Sequence, residues 1–369
     1  KTTVRDSTVL NDMVAKIKNT RLFNEVSYSK NSDNRDTVIT FHCEELRSTL
    51  PILEIGATAD NQWFRLGLQD ENGLGKGIKT IAFYQFNDKH SFYLKQKFPM
   101  VFKNVGFGYL LRKWSFLEPF NFNNKTEFYV YDSKNAEINF TFPFDINRHE
   151  LEIGTGFMAE SFTHTMPGMQ MDGPEKFAQK RISIKTTHTL NHLNYNTFYV
   201  NGWSNTLNVL STFALNEKHP FISVYNDFKY LKTFAFKGNL AFRNRLGIAS
   251  NSNTFLAPFI LDSYYNIRGV GNRVDRGTAS IVVNTEYRQT VWENKTFGIQ
   301  TIGFCDSGTW RKPGGTLADM SNSKNIQVFA GIGSRFIYKK AYDVILSFDY
   351  GWNIKGNGQG FVFGIGQYF

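Results

Sequence analysis

Over long stretches of the chain, apolar and polar residues alternate one for one. In GFVFGIGQYF, Phe361, Phe363, Ile365 and Phe369 share one face, while Gly364 and Gly366 lie on the other. In AYDVILSFDYGW, Tyr342, Val344, Leu346, Phe348, Tyr350 and Trp352 oppose Asp343, Ser347 and Asp349. In SIVVNTEYRQTV, Ile281, Val283, Thr285 and Tyr287 oppose Ser280, Asn284, Glu286 and Arg288; in TFGIQTIGFCD, Phe297, Ile299 and Thr301 oppose Gly298, Gln300 and Asp306. A period of two predicts β-strands. Runs of ten or more residues exceed the usual strand and match the roughly 9–11 residues that a tilted strand needs to cross a bilayer. One face is apolar with aromatics near its ends, as lipid requires, and the other carries charge, as a wet lumen permits. A soluble sandwich would use shorter strands.

Tight turns alternate with longer polar loops. The windows predicted as strands are 52–59, 62–70, 77–87, 91–102, 105–117, 133–143, 149–161, 178–190, 196–213, 220–229, 232–249, 279–291, 296–307, 326–338, 341–352 and 359–369. The fold predicted is therefore all-β, a sixteen-stranded antiparallel transmembrane barrel, with an even strand number as such barrels need. The long loops fall at 162–177, 250–278 and 308–325, on one side of the membrane. Residues 1–47 read differently. Val9, Leu10, Met13, Val14 and Ile17 have helical spacing behind Ser7 or Thr8 as a cap. NEVSYSK and DTVITFHCEE then alternate as a hairpin. The expected division is a small α+β segment, 1–47, and a barrel, 48–369.

Composition narrows the function classes. Of the 369 residues, 41% are hydrophobic and 36 are Phe. No run approaches the roughly 18 apolar residues of a membrane helix, which excludes a helical membrane protein and leaves a barrel open. Two cysteines, Cys43 and Cys305, make no disulfide framework. No Cys/His cluster has zinc spacing. There is no nucleophile elbow, P-loop or dinucleotide fingerprint, so an enzyme, a metal or a cofactor is not expected. The net charge of +10 is scattered, without a basic run; anionic headgroups or a polar lumen account for it better than nucleic acid does. The chain opens at Lys1 without Met or an h-region, as after removal of a signal peptide or in a truncated chain.

One loop stands out. FILDSYYNIRGVGNRVDRG (259–277) sets Ile267 and Val270 around Arg268, with Gly269 and Gly271 to let the backbone turn and approach closely. A loop that merely connects needs no such tip; a loop that docks does. By parity Phe304, Asp306, Glu286 and Arg288 face the lumen, where a guanidinium needs a carboxylate fork.

Together these features resemble the BamA-type superfamily of outer-membrane assembly and transport barrels. IRGVGN, from Ile267 to Asn272, resembles the tip of that family's long sixth loop, and NTEYR at 284–288 the strand after it. FCDSG at 304–308, ending in Gly308, resembles its F-x-D-x-G strand. FGIGQYF ends in Phe369, as an outer-membrane targeting signal does. GLQDENGLGKG at 67–77 looks like the second strand, turn and third strand. RLFNEV with TVITFHCEE looks like part of a POTRA module; a whole one is larger than 47 residues. The resemblance implies a bacterial outer-membrane location, contact with lipid, client or secreted proteins as partners, and a loop Arg that reaches the strand Asp. It also implies function at the seam, where the first strand opens from the last to fold clients into the membrane. The segment after Pro51, with Ile55 and Gly56, is short, and the last strand carries Gly360, Gly364 and Gly366; glycine weakens strand pairing, although close packing in a curved sheet explains these glycines equally well. The expected function is outer-membrane protein assembly or insertion, and the alternative is a translocation pore or passive channel plugged by loop 259–277. Client, accessory proteins and oligomeric state are not legible.

Overall fold

The structure, a computed structural model, describes residues 7–32, 37–57, 62–87, 89–122, 125–145, 148–166, 172–215, 219–251, 254–263, 265–271, 275–341 and 344–369. Asn272, Tyr342 and Asp343 lie outside them. The chain opens with helix α1 (Ser7–Lys18) and the hairpin β1 (Phe23–Ser32) and β2 (Thr37–Glu45). Leu10 and Val26 are buried where α1 lies against β1, which is why the helical spacing and the strand alternation meet in this small unit.

Sixteen strands then close an antiparallel barrel. The first eight are β3 (Thr49–Ala57), β4 (Gln62–Gly73), β5 (Ile78–Phe86), β6 (His90–Phe102), β7 (Val105–Phe122), β8 (Lys125–Asp145), β9 (His149–His164) and β10 (Lys176–Asn191). A short β11 (Asn194–Asn196) pairs beside β12 (Tyr199–Ala214), followed by β13 (Phe221–Thr233) and β14 (Gly238–Ala249). The long loop after β14 contributes its own two-stranded pair, β15 (Phe259–Leu261) and β16 (Asp275–Gly277). The wall finishes with β17 (Ala279–Glu293), β18 (Phe297–Arg311), β19 (Gln327–Tyr338), β20 (Val344–Asn353) and β21 (Gln359–Ile365).

The alternation sorts as the pleat demands. Leu66, Leu68, Ile138, Phe140, Ile153, Phe157, Ile182, Ile184, Leu246 and Ile248 are exposed on the outer face. That much contiguous apolar surface is untenable in water and is the lipid-facing band of a membrane barrel. Their neighbours point inward, and Asn239, Arg243, Arg245, Asn284, Glu286, Arg288, Gln300, Asp306, Arg335 and Asp349 are buried there.

Four expected boundaries are corrected. β7 and β8 run to Phe122 and from Lys125, well beyond the windows ending at 117 and starting at 133. Their loop-side ends bury Phe120 and Tyr129 against Phe162 and Phe255, so the apolar/polar alternation is blurred there although the backbone stays extended. The strand expected to start at 232 starts at Gly238. The last strand ends at Ile365 rather than 369: Gly366 has φ +112°, and the chain turns inward.

Among the described residues, the seam is a short join beside full-length ladders. Among the described residues, β21 pairs with β3 through Phe361–Ala57, Val362–Gly56 and Phe363–Ile55 alone, whereas the β20–β21 ladder runs over seven pairs, Leu346–Ile365 to Trp352–Gln359. Among the described residues, 49–53 of β3 pair with β4 on one side and have no ladder partner on the other. A gap of about 230 Å³ lies there, lined by Leu50, Pro51, Leu53, Glu54, Ile365 and Gly366. The cause is local: Gly366 donates its N–H to Ile345 O at 2.7 Å and diverts the chain from β3.

Candidate functional site

Loop 250–278 crosses the inside of the barrel. Its tip is tied by short bonds. The Ile267 N–H donates to Asp262 O (2.9 Å), Ser263 N–H to Gly271 O (2.7 Å), and Gly271 N–H to Ser263 Oγ (2.6 Å). Gly269 and Gly271 have φ of +93° and +120°, which other residues rarely adopt. Space adds a second reason at Gly269, where a Cβ would lie 2.5 Å from Gly351 O on β20. The tip therefore sits backbone to backbone on the penultimate strand, and a Cβ on Gly360 of the last strand would come 3.3 Å from Gly269 O. Ile267 is wholly buried in a cluster with Leu261, Val282, Trp310 and Phe329, and Val270 packs at its edge.

This backbone aims Arg268 at the wall. Its backbone N–H and Nε donate to Asp306 Oδ2 at 3.0 and 2.9 Å, and Nη2 donates to Asp306 Oδ1 at 3.0 Å. Nη1 also pairs with Glu286 and reaches Asp349 at 3.2 Å. Phe304 and Tyr368 stack on the guanidinium, their ring centres 3.6 and 4.4 Å from Cζ, a cation–π arrangement. Arg288 donates to Glu286 at 2.6 Å, and Arg335 pairs with Asp349 at 2.7 and 2.9 Å. Three arginines thus face three carboxylates, with no side chain in the group more than 2% exposed. Buried ions are tolerated only when paired and hydrogen-bonded, and this neutral set meets that condition.

A second anchor ties the loop to the opposite wall. Arg276 donates to Glu118 at 2.6 Å and lies over Phe120, and Asn121 donates to Asp275 at 2.7 Å. Sequence reasoning missed this anchor, along with Asp349, Arg335 and Tyr368. Parity put Asp349 on the inner face, and an inward Asp on a strand beside an inward Arg was the available signal. Nothing in the local sequence of β7 pointed to residue 276.

The remaining candidate residues are placed as follows. Glu286 touches Arg268, whereas Arg288 touches Glu286 and not the loop. Gly308 makes room for the Trp310 ring, 2.8 Å from where its Cβ would stand, and that ring lies in the same buried cluster as Ile267. Ile55 is exposed beside the seam, and Gly56 pairs with Val362. Gly364 has ordinary space around it, with Ser347 Oγ and Glu54 Cγ at 3.8 and 3.9 Å from a Cβ.

Phe369 departs from expectation: it does not continue the lipid-facing row. Beyond Gly366 the chain enters the lumen, where Phe369 packs on Leu193, Leu231 and Ala241 and its carbonyl accepts from Arg288 at 3.1 Å. Gln367 accepts from Arg335 at 3.0 Å, and the Tyr368 hydroxyl donates to Ser263 O at 3.0 Å. Parity fails here because a positive-φ glycine breaks the pleat. We expect Phe369→Ala to cost about 1–3 kcal/mol of lost burial and to lower the unfolding temperature of the detergent-solubilised barrel. An unchanged transition with less protein in the membrane would leave targeting as its only role.

At the turn side, the helix–hairpin unit sits across the mouth. The Asn19 side chain donates to Asn194 and accepts from the Tyr195 N–H, both at 3.1 Å, and Arg21 lies over the Tyr195 ring. Lys340 donates to Glu44 at 2.7 Å and holds that carboxyl below its usual range. A cavity of about 370 Å³ between unit and lumen is lined by Lys18, Arg21, Lys229, Arg243, Arg288 and Lys339 among others. Among the described residues, no three His, Cys, Asp or Glu gather as metal ligands.

A closed antiparallel barrel with a lipid-facing band, a charged interior and a long loop pinned across that interior defines a class of membrane barrel. The Omp85 superfamily domain matches residues 101–369, and the chain belongs to that superfamily. Among solved structures it is similar to BamA from Haemophilus ducreyi lacking POTRA domains 1–3, at 15% identity and a TM-score of 0.64, over 98% of this chain and 78% of that one. It is also similar to CdiB from Acinetobacter baumannii (11%, TM-score 0.60, 95% and 67%) and to CdiB from Escherichia coli (12%, 0.61, 94% and 69%). No curated protein sequence matches the chain. At these identities the structural likeness speaks for the fold.

Proposed function

We propose that the protein is an assembly or insertion factor of the bacterial outer membrane that acts through the seam between β3 and β21. Outer-membrane lipid surrounds the wall, residues 1–47 form a partial POTRA-like unit on the periplasmic side, and the partners are client barrel proteins. The observation that carries this reading is the seam itself. Among the described residues three register pairs hold it, and residues 49–53 of β3 present an edge without a ladder partner to a gap. Unpaired backbone N–H and C=O groups template an incoming strand, and opening so short a ladder is within reach of thermal motion. The lumen supports the same direction, since the loop that crosses it is held on both walls by buried ion pairs, leaving the side of the barrel as the easier exit. The second anchor favours one other reading: with the Arg276–Glu118 and Asn121–Asp275 contacts on β7 released, the loop could swing aside and clear a translocation path.

Planar-bilayer conductance separates these two. On the seam reading the intact protein conducts little and intermittently, and replacing 259–277 by a short Gly/Ser linker opens a steady pore while client insertion does not improve. A large steady conductance of the unaltered protein, with transport of a secreted polypeptide, favours the pore.

A further inference from the structure

Outward-facing side chains on β7–β10 form continuous rows from strand to strand, because the ladders are in continuous register; the strand tilt inclines these rows to the membrane plane. One row reads Phe92, Lys113, Lys134, Ala159, Lys180: Phe92 pairs with Lys113, Lys113 with Lys134, Lys134 with Ala159, and Ala159 with Lys180. All three lysines are exposed on the lipid-facing wall. None has a hydrogen bond or ion pair among the described residues, whereas Lys97, Lys237 and Lys339 each pair with a glutamate. Lys113 and Lys134 stand directly opposite one another, an arrangement that like charges disfavour. Three unpaired ammonium groups in one row on an apolar wall call for an external anion.

The rows on either side say which kind. The next row toward the turn side is Leu111, Ala136, Phe157, Ile182, and the two after it, down to Phe107, Phe140 and Ile153, carry no charge. Lys113 lies eight residues above Val105, roughly 20 Å of height for a strand tilted about 40°, at the upper edge of the hydrocarbon. The row above is Ser115, Asp132, Ser161, with Ser115 Oγ donating to Asp132 at 2.5 Å. Ser115 is buried, so the exposed Asp132 carboxylate and the half-buried Ser161 hydroxyl are what this row offers to sugar hydroxyls. Below and beside the lysines runs an open groove of about 830 Å³, floored by Ala82, Ala136 and Ala159 between Leu68, Leu94 and Leu111. Its width comes from the alanines, and it fits acyl chains.

We propose that this face is a docking site for a phosphorylated glycolipid of the outer leaflet. The lysine row takes its phosphates, Asp132 and Ser161 its sugar hydroxyls, and the alanine groove its acyl chains. The inference rests on the outer-membrane placement and is independent of what the seam does. An anchored lipid would fix the orientation of β7–β10, the wall that also holds the Arg276 anchor of the loop.

Native mass spectrometry of the full chain in detergent, titrated with a bisphosphorylated, acylated glucosamine disaccharide, tests it. Parallel titrations use the dephosphorylated disaccharide and phosphatidylglycerol. Wild type should bind the bisphosphorylated lipid at least about tenfold more tightly than either comparison lipid. The triple variant Lys113→Gln, Lys134→Gln, Lys180→Gln should lose that preference while keeping its heat-modifiable gel shift, and Lys76→Gln on the β4–β5 turn should keep it. Equal binding by wild type and triple variant, or phosphatidylglycerol bound as tightly as the glycolipid, overturns the proposal. Vesicle insertion is measured alongside. A chain that inserts but does not discriminate sinks the lipid site alone, and one that never inserts sinks the membrane placement with it.

Discussion

Replacing Arg268 by Met is expected to have the largest effect of any single substitution in the chain. The change leaves Asp306, Glu286 and Asp349 facing only Arg288 and Arg335 in a group with almost no solvent contact. Breaking a buried pair by removing one partner costs about 3–5 kcal/mol, and the loop tip loses its charged hold on Asp306 of β18. The purified variant should migrate largely as the unfolded species after mild heating, at a temperature where wild type keeps its folded mobility. Arg268→Lys should fall between, because an ammonium keeps the charge but not the fork. The geometry also predicts how a second change rescues it. Arg268→Met with Asp306→Asn leaves two arginines facing two carboxylates and should recover part of the lost folded fraction. Exchanging the pair, Arg268→Asp with Asp306→Arg, should not, because the new Asp sits against Glu286 and Asp349. Full rescue by the exchange would mean that Arg268 and Asp306 act as an isolated couple, contrary to the shared network.

Much of this arrangement was legible as alternation. A period of two is a direct consequence of the pleat, so the inward set Glu286, Arg288, Phe304 and Asp306 followed from residue parity, and the tip Ile267–Gly271 declared itself through composition. The contacts that complete the site are between elements far apart in sequence. Arg335 with Asp349, Tyr368 with Ser263, and Arg276 with Glu118 depend on which strand stands opposite which and on how far the loop reaches, and neither is encoded in a local pattern. Phe369 was misplaced because one positive-φ residue, Gly366, cancels parity for everything after it. The long ends of β7 and β8 were hidden for a related reason. Where loop aromatics such as Phe255 cover the inner face, polar residues are no longer required there, and the alternation that marks a strand is lost.

The seam is where structure and proposed function meet, and a covalent lock across it is the second large effect expected. Ile55 and Phe363 are register partners in the three-pair join. Replacing both by Cys, with Cys43→Ser and Cys305→Ser to remove competing thiols, would let oxidation close the seam while the other strand pairs are untouched. The cost to the fold should be small, since Ile55 is exposed and the bond reinforces a contact that already exists. Opening should then be impossible without breaking a covalent bond. The decisive measurement is insertion of an unfolded client barrel into vesicles that carry the oxidised double-cysteine protein, compared with the same vesicles after reduction. The account predicts at least a tenfold loss of insertion rate on oxidation, restored by reductant, with the gel mobility of the folded barrel unchanged in both. Insertion that proceeds at the reduced rate through a fully crosslinked seam would contradict it.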